Sequence, residues 1–169
     1  MPPLSEPLRA SGALRPHTPD AWAQVLAGGH LTRYHRLGTG HPVLLLDPAA
    51  GALWPAFAET LAAHVRVLAP ALAELHPDAA VDAAWLRDFV DALGVGPVAL
   101  VAAPTLGAVA LALADDAERV SCATLVTADG DGLPVGAAAV PLLVLPRTLD
   151  RQAALEMLLP FLAAVPAPP

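Results

Sequence analysis

The chain contains no lysine, no isoleucine and no asparagine, and its single cysteine is Cys122. Without lysine, neither a Schiff-base amine nor the lysine of a phosphate-binding loop is possible. One cysteine excludes an intramolecular disulfide and fits a reducing compartment. Positive charge is scarce: all nine basic residues are arginines, none clustered, and the formal net charge is -7. A nucleic-acid partner needs a basic stripe, so that class is argued against. Aromatic residues make up only 4% of the chain and charged residues 15%. The opening "MPPLSEPLRASGALRPHTPD" has no apolar core of signal-peptide length, and a cytoplasmic protein is expected.

Apolar residues are abundant, at 56% of 169 residues. That is above the usual share, and the length suits one domain with a real core. Much of the excess is alanine, which together with the all-arginine basic set fits the codon bias of a GC-rich bacterial genome. Residues 95–114, "VGPVALVAAPTLGAVALALA", carry no charge and have the length of a membrane span. Pro97 and Pro104 divide the stretch, and Asp91, Asp115 and Asp116 flank it in place of basic residues. Buried parallel strands and the helices behind them also read as continuous apolar runs. No membrane span is expected.

Residues 1–18, rich in Pro, Ser and Arg, read as a flexible arm, and the single domain as 19–165 with a frayed 166–169 tail. "TPDAWAQVLAGG" carries a helix signal, with Thr18 as cap, Pro19 in the first turn and Gly28–Gly29 as the stop. Alternation in "LTRYHRL" (31–37) predicts a half-exposed strand, and "GTGHP" a turn. Apolar runs predict strands at 43–47, 65–70, 97–102, 119–127 and 140–146. Between them lie predicted helices at 52–64, 78–94, after Leu106 and at 150–165. The long helix places Val81, Ala84, Trp85, Phe89 and Leu93 on one face, with Gly94 as its stop. This alternation predicts an α/β fold: a mostly parallel sheet of about six strands with helices on both faces. Neither "GTG" (38–40) nor "GVGP" (94–97) follows a strand, as a dinucleotide-binding loop must.

From Tyr34 to about Val126 the sequence resembles the front half of an α/β-hydrolase-fold protein. "YHRLGTGHPVLLLD" resembles the strand pair leading to that family's oxyanion loop, and "GALWPAFAETLAAHVRVLAPAL" the next helix and strand. "WLRDFVDALGVGPVALV" resembles the helix and strand before the nucleophile elbow, and "GAVALALADDAERVSCATLV" the helix and strand after it. The resemblance implies a truncated member of that fold without a cap domain.

The resemblance places the elbow at Ala102–Leu106, where the family reads small-x-nucleophile-x-small. Pro104 stands at the nucleophile position, offers no oxygen or sulfur, and has φ fixed near -65°, away from the strained elbow backbone. Its plain role is to open the helix. Thr105 caps that helix or gives its hydroxyl to a ligand. Asp47 and Pro48 stand where the family often has His-Gly, and a carboxylate there opposes a developing oxyanion. Asp47 is read as a turn cap or a ligand contact. The family's acid position falls on Asp150, which also suits a helix N-cap. The last histidine is His76, so the family's C-terminal base has no counterpart in this sequence, and none of the six histidines has metal-ligand spacing. "ADGDGLP" (128–134) resembles the D-x-D signature of haloacid-dehalogenase-like enzymes, but it follows a late strand and reads as a turn.

These loops leave the carboxyl ends of the strands, where open parallel sheets bind ligands. The expected ligand-binding set is Asp47, Ala49, Thr105, Asp129 and Asp150, with no catalytic residue, metal or cofactor. The expected function is a non-catalytic hydrolase-like protein that binds a small molecule or a partner protein. The alternatives are an ester or thioester hydrolase with a displaced site and a structural subunit of a larger assembly. The apolar strand at 140–146 has no following partner in the sequence. An uncovered edge of this kind must be paired, so a homodimer or a partner protein is expected through that strand or the 150–165 helix.

Overall fold

The computed structural model describes residues 22–48, 53–54, 56–72, 75–128 and 138–165. The expected arm at 1–18 and the tail at 166–169 lie outside these. The strands are β1 (Trp22–Ala27), β2 (His30–Leu37), β3 (Pro42–Leu46), β4 (Arg66–Pro70), β5 (Val98–Ala102), β6 (Val120–Thr127) and β7 (Leu142–Pro146). The helices are α1 (Phe57–Ala62), α2 (Ala79–Leu93), α3 (Gly107–Ala114) and α4 (Arg151–Ala164). A single sheet runs in the order β1-β2-β4-β3-β5-β6-β7. From β4 to β7 all neighbours are parallel; β1–β2 and β2–β4 are antiparallel. Only residues 128–141 separate β6 from β7, too few for a cap domain.

Runs such as "VLLL" arise because the central strands are buried on both faces. On β3, Leu44 and Leu46 enter one core, while Val43 and Leu45 enter the other. The first core lies under α2 and α3 and contains Leu86, Phe89, Leu100, Leu113 and Leu125. The second lies under α1 and α4 and contains Phe57, Leu61, Val67, Val101 and Leu158. Each fully buried large side chain contributes roughly 1.5–3 kcal/mol. The uncharged 95–114 stretch is thereby explained as β5, a 3₁₀ turn and α3. Among the described residues no helix is long and apolar enough to cross a membrane.

Three sequence expectations are corrected. The predicted helix ending at Gly28–Gly29 is instead strand β1, which brings the expected sheet of about six strands to seven. Gly28 and Gly29 have φ of 55° and 82°, the two positive values of a type I′ hairpin turn, and Ala27 pairs with His30 across it. The Gly-Gly stop of a helix and the Gly-Gly turn of a hairpin look alike in sequence; pairing with β2 and packing against α2 select the strand. Helix α1 starts at Phe57, later than residue 52, because Ala56 precedes it with a left-handed φ of 55°.

The buried stripe of α2 is also rotated. Asp82, Ala83, Leu86, Phe89 and Val90 face inward, while Val81 is 47% exposed and Ala84 is exposed. Asp82 sits in the stripe because both its oxygens accept from the His76 backbone N–H, at 2.9 and 3.2 Å. A satisfied buried carboxylate therefore occupies a position that an apolar pattern skips.

Candidate functional site

Strand β5 is buried along its whole length and delivers the chain to the turn at Ala103–Leu106. Ala103 N–H donates to Leu46 O at 2.9 Å, which holds this turn beside the end of β3. Pro104 opens a single 3₁₀ turn, the Leu106 N–H bonds back to Ala103 O at 2.9 Å, and Gly107 begins α3. No residue of the turn has positive φ; among the described residues the one such non-glycine is Ala56. The strained backbone that exposes a nucleophile at an elbow is therefore absent from this turn. Thr105 is exposed, whereas Leu106 packs into the core under α2 and α3.

At the end of β3, Asp47 is half-buried and its Oδ2 accepts from Leu53 N–H at 3.4 Å, the long limit of such a bond. The next residue, Trp54, is 6% exposed and donates its Nε1–H to Leu149 O at 2.8 Å. Leu53 and Trp54 thus tie the loop after β3 to the loop after β7. Leu149 leads directly to Asp150, whose Oδ1 accepts from Ala153 N–H at 2.9 Å. Asp150 is the N-cap of α4, so its carboxylate has the helix-capping role that its position allows.

A cleft of about 630 Å³ opens beside Asp47. That size falls within the range of small-molecule pockets. Its walls come from β1 to β4 and α1: Trp22, His35, Asp47, Trp54, Phe57 and Glu59 carry its distinctive chemistry, with Leu45, Ala69 and Pro70 among the apolar remainder. No residue of β5, β6 or β7 lines it. The cleft is therefore displaced from the Pro104 turn toward the β2 side of the sheet. Trp22 and His35 are cross-strand partners, in edge contact with ring centroids 3.7 Å apart. Trp54 and Phe57 stack obliquely at 4.8 Å.

Of the expected ligand-binding set, Asp47 lines this cleft. Thr105 and Asp150 are exposed and lie outside its walls, and Ala49 and Asp129 fall outside the described residues. Sequence reading missed Trp22, His35, Trp54 and Phe57. The pairing of Trp22 with His35 was hidden by the helix reading; a Gly-Gly turn between alternating segments was the available signal. Cys122 is buried, and burial pushes its thiol pKa up, which disfavours the reactive thiolate. Among the described residues, no three His, Cys, Asp or Glu side chains cluster as a metal site would need.

No family model matches the chain, and no curated protein matches it by sequence. Solved structures do. A serine hydrolase involved in carbazole degradation shares 29% identity at a TM-score of 0.54, over 68% of this chain and 49% of its own. A meta-cleavage product hydrolase from Pseudomonas fluorescens shares 27% at 0.54, over 62% and 44%. The epoxide hydrolase CorEH shares 25% at 0.55, over 69% and 47%. The chain spans under half the length of each of these enzymes. Sheet order, crossover pattern and these likenesses agree: the chain has the α/β-hydrolase fold.

Proposed function

We propose that this chain is a non-catalytic α/β-hydrolase-fold protein that binds a small molecule in the cleft beside Asp47. One observation carries the reading: Pro104, without a nucleophilic atom, opens an ordinary 3₁₀ turn where the fold would present its nucleophile. Asp47 and Pro48 at the end of β3 support it, because they place a carboxylate where an oxyanion would need donors and remove one backbone N–H. The cleft keeps an apolar, aromatic wall with a few polar groups, the usual make-up of a ligand site. The similar solved structures are hydrolases by name, so residual ester or thioester hydrolysis is the competing reading.

The test is intact mass after treatment with a fluorophosphonate probe, beside a nitrophenyl ester assay. No adduct and no turnover are expected. A stoichiometric adduct would sink the proposal, and peptide mapping would then locate the nucleophile, with Thr105 and Ser121 the first positions to inspect.

The outer edge of β7 supports a further part of the reading, a homodimer. β7 ends the sheet, its Val144 is 38% exposed, and Met157 of α4 is exposed as well. An apolar edge with unpaired backbone groups pairs readily with a second copy.

A further inference from the structure

β1 is the outermost strand of the sheet, and only β2 pairs with it. Its sequence, "WAQVLA", has no charge and no proline, the features by which a sheet edge ordinarily resists pairing. The hairpin fixes what that edge presents. Ala27 and His30 flank the two-residue turn as a hydrogen-bonded pair. Backbone groups alternate along a strand, so Ala23, Val25 and Ala27 direct theirs to β2, and Trp22, Gln24 and Leu26 direct theirs outward. The side chains of Ala23, Val25 and Ala27 pack into the core under α2. Those of Trp22, Gln24 and Leu26 lie on the opposite face and are exposed, Trp22 by 44% and Leu26 by 64%.

This pattern is its own complement. Turned end over end about Gln24, a second β1 sets Trp22 against Leu26, Gln24 against Gln24 and Leu26 against Trp22. Every outward N–H and C=O of the three residues then has a partner. The apolar row continues onto β2, because Leu31 stands opposite Leu26 and is itself 66% exposed. The Arg33 guanidinium lies over the Trp22 ring, and the measured exposure of Trp22 is what remains with Arg33 in place. Arg33 pairs with Gln24 on β2, so the two copies of Arg33 stand three strand spacings apart, about 14 Å, and no like charges meet.

We infer that the outer edge of β1 pairs with β1 of a second copy of this chain, antiparallel and centred on Gln24. The contact sets Leu26 of the partner subunit beside Trp22, at the rim of the cleft next to Asp47. It is a second interface, independent of the β7 edge and of the ligand-binding reading. A six-residue strand pair falls short of the roughly 1,200 Å² of a stable interface, so the association is weak and belongs to submillimolar concentrations.

Cysteine substitution tests the register. Cys122 is buried, so Gln24→Cys introduces one reactive thiol. Opposed residues of a hydrogen-bonded pair stand about 5.5 Å apart between Cα atoms, within disulfide reach. Under air oxidation with a copper catalyst, Gln24→Cys is expected to form the covalent dimer at least about tenfold faster than Glu118→Cys, an exposed position whose thiol meets another only by random encounter. Light scattering at submillimolar concentration tests the contact without a cross-link, in the Val144→Arg background so that the β7 edge does not contribute. A dimer is expected there. Gln24→Glu and Gln24→Lys, each placing like charges opposite one another, should return the monomer, and a one-to-one mixture of the two should associate again. Equal cross-linking rates for Gln24→Cys and Glu118→Cys would overturn the inference, as would a mass unmoved by Gln24→Glu. A Gln24→Cys thiol that a soluble maleimide cannot reach would overturn it too, by showing the edge covered by another part of the same chain. None of these outcomes touches the cleft beside Asp47 or the β7 edge, so the readings above stand or fall by their own tests.

Discussion

Trp54 shows how one side chain organises this site. Its indole packs with Phe57 while its N–H reaches Leu149 O, so it joins the start of α1 to the approach of α4. Trp54→Phe keeps the ring contact and leaves the Leu149 carbonyl without its partner. A loss of about 1–3 kcal/mol is expected in urea denaturation; a loss below the error of the fit would show that the bond is dispensable. His41 gives a pH signature. It is half-buried, and desolvation lowers its pKa below the ordinary imidazole value. Below a pH of about 6.5 the unfolded chain takes up a proton that the folded chain resists, so stability falls as pH drops. His41→Gln should therefore show a shallower stability loss between about pH 7 and 5; an identical slope would assign the acid sensitivity elsewhere. At this scale the sequence was informative where chemistry is intrinsic to a residue. Proline has no nucleophilic atom in any fold, and Asp150 caps α4 as a first-turn aspartate should. The partner of Trp54 was not legible, because Leu149 lies 95 positions away.

Among the elements, turns decide more than helices do. Gly38, between β2 and β3, has φ of 68°, and a β-carbon there would collide with the carbonyl oxygens of Val65 and Ala62. Both obstacles are backbone and cannot rotate away. Gly38→Ala should cost at least about 3 kcal/mol, or prevent folding, by thermal melting. A Tm near that of the parent would mean the turn can rearrange. Gly28 and Gly29 illustrate the limit of local reading. They were visible as a stop signal, but the choice between helix end and hairpin turn depended on β2 lying alongside. The register of α2 failed for a related reason. Asp82 is buried because His76 N–H meets it, a contact that hydrophobic periodicity does not encode.

At the level of the whole molecule, the sheet ends on β1 at one side and β7 at the other. If the β7 edge pairs two copies as proposed, light scattering at micromolar concentration should give the mass of a dimer, and Val144→Arg should shift it toward monomer. A monomer in the parent chain would discard the dimer. The sequence by itself determined the α/β class, the parallel core strands and the lack of a nucleophilic atom on residue 104. Those follow from local composition: continuous apolar runs bury on both faces, and no surroundings give proline a hydroxyl or thiol. Only the tertiary structure decided that 22–27 is a strand and that the cleft lies over β1 to β4. Only there did Trp22, His35, Asp47 and Trp54 come together. These residues lie on separate elements between positions 22 and 54, and their meeting depends on strand pairing and on the bond from Trp54 to Leu149 between distant loops.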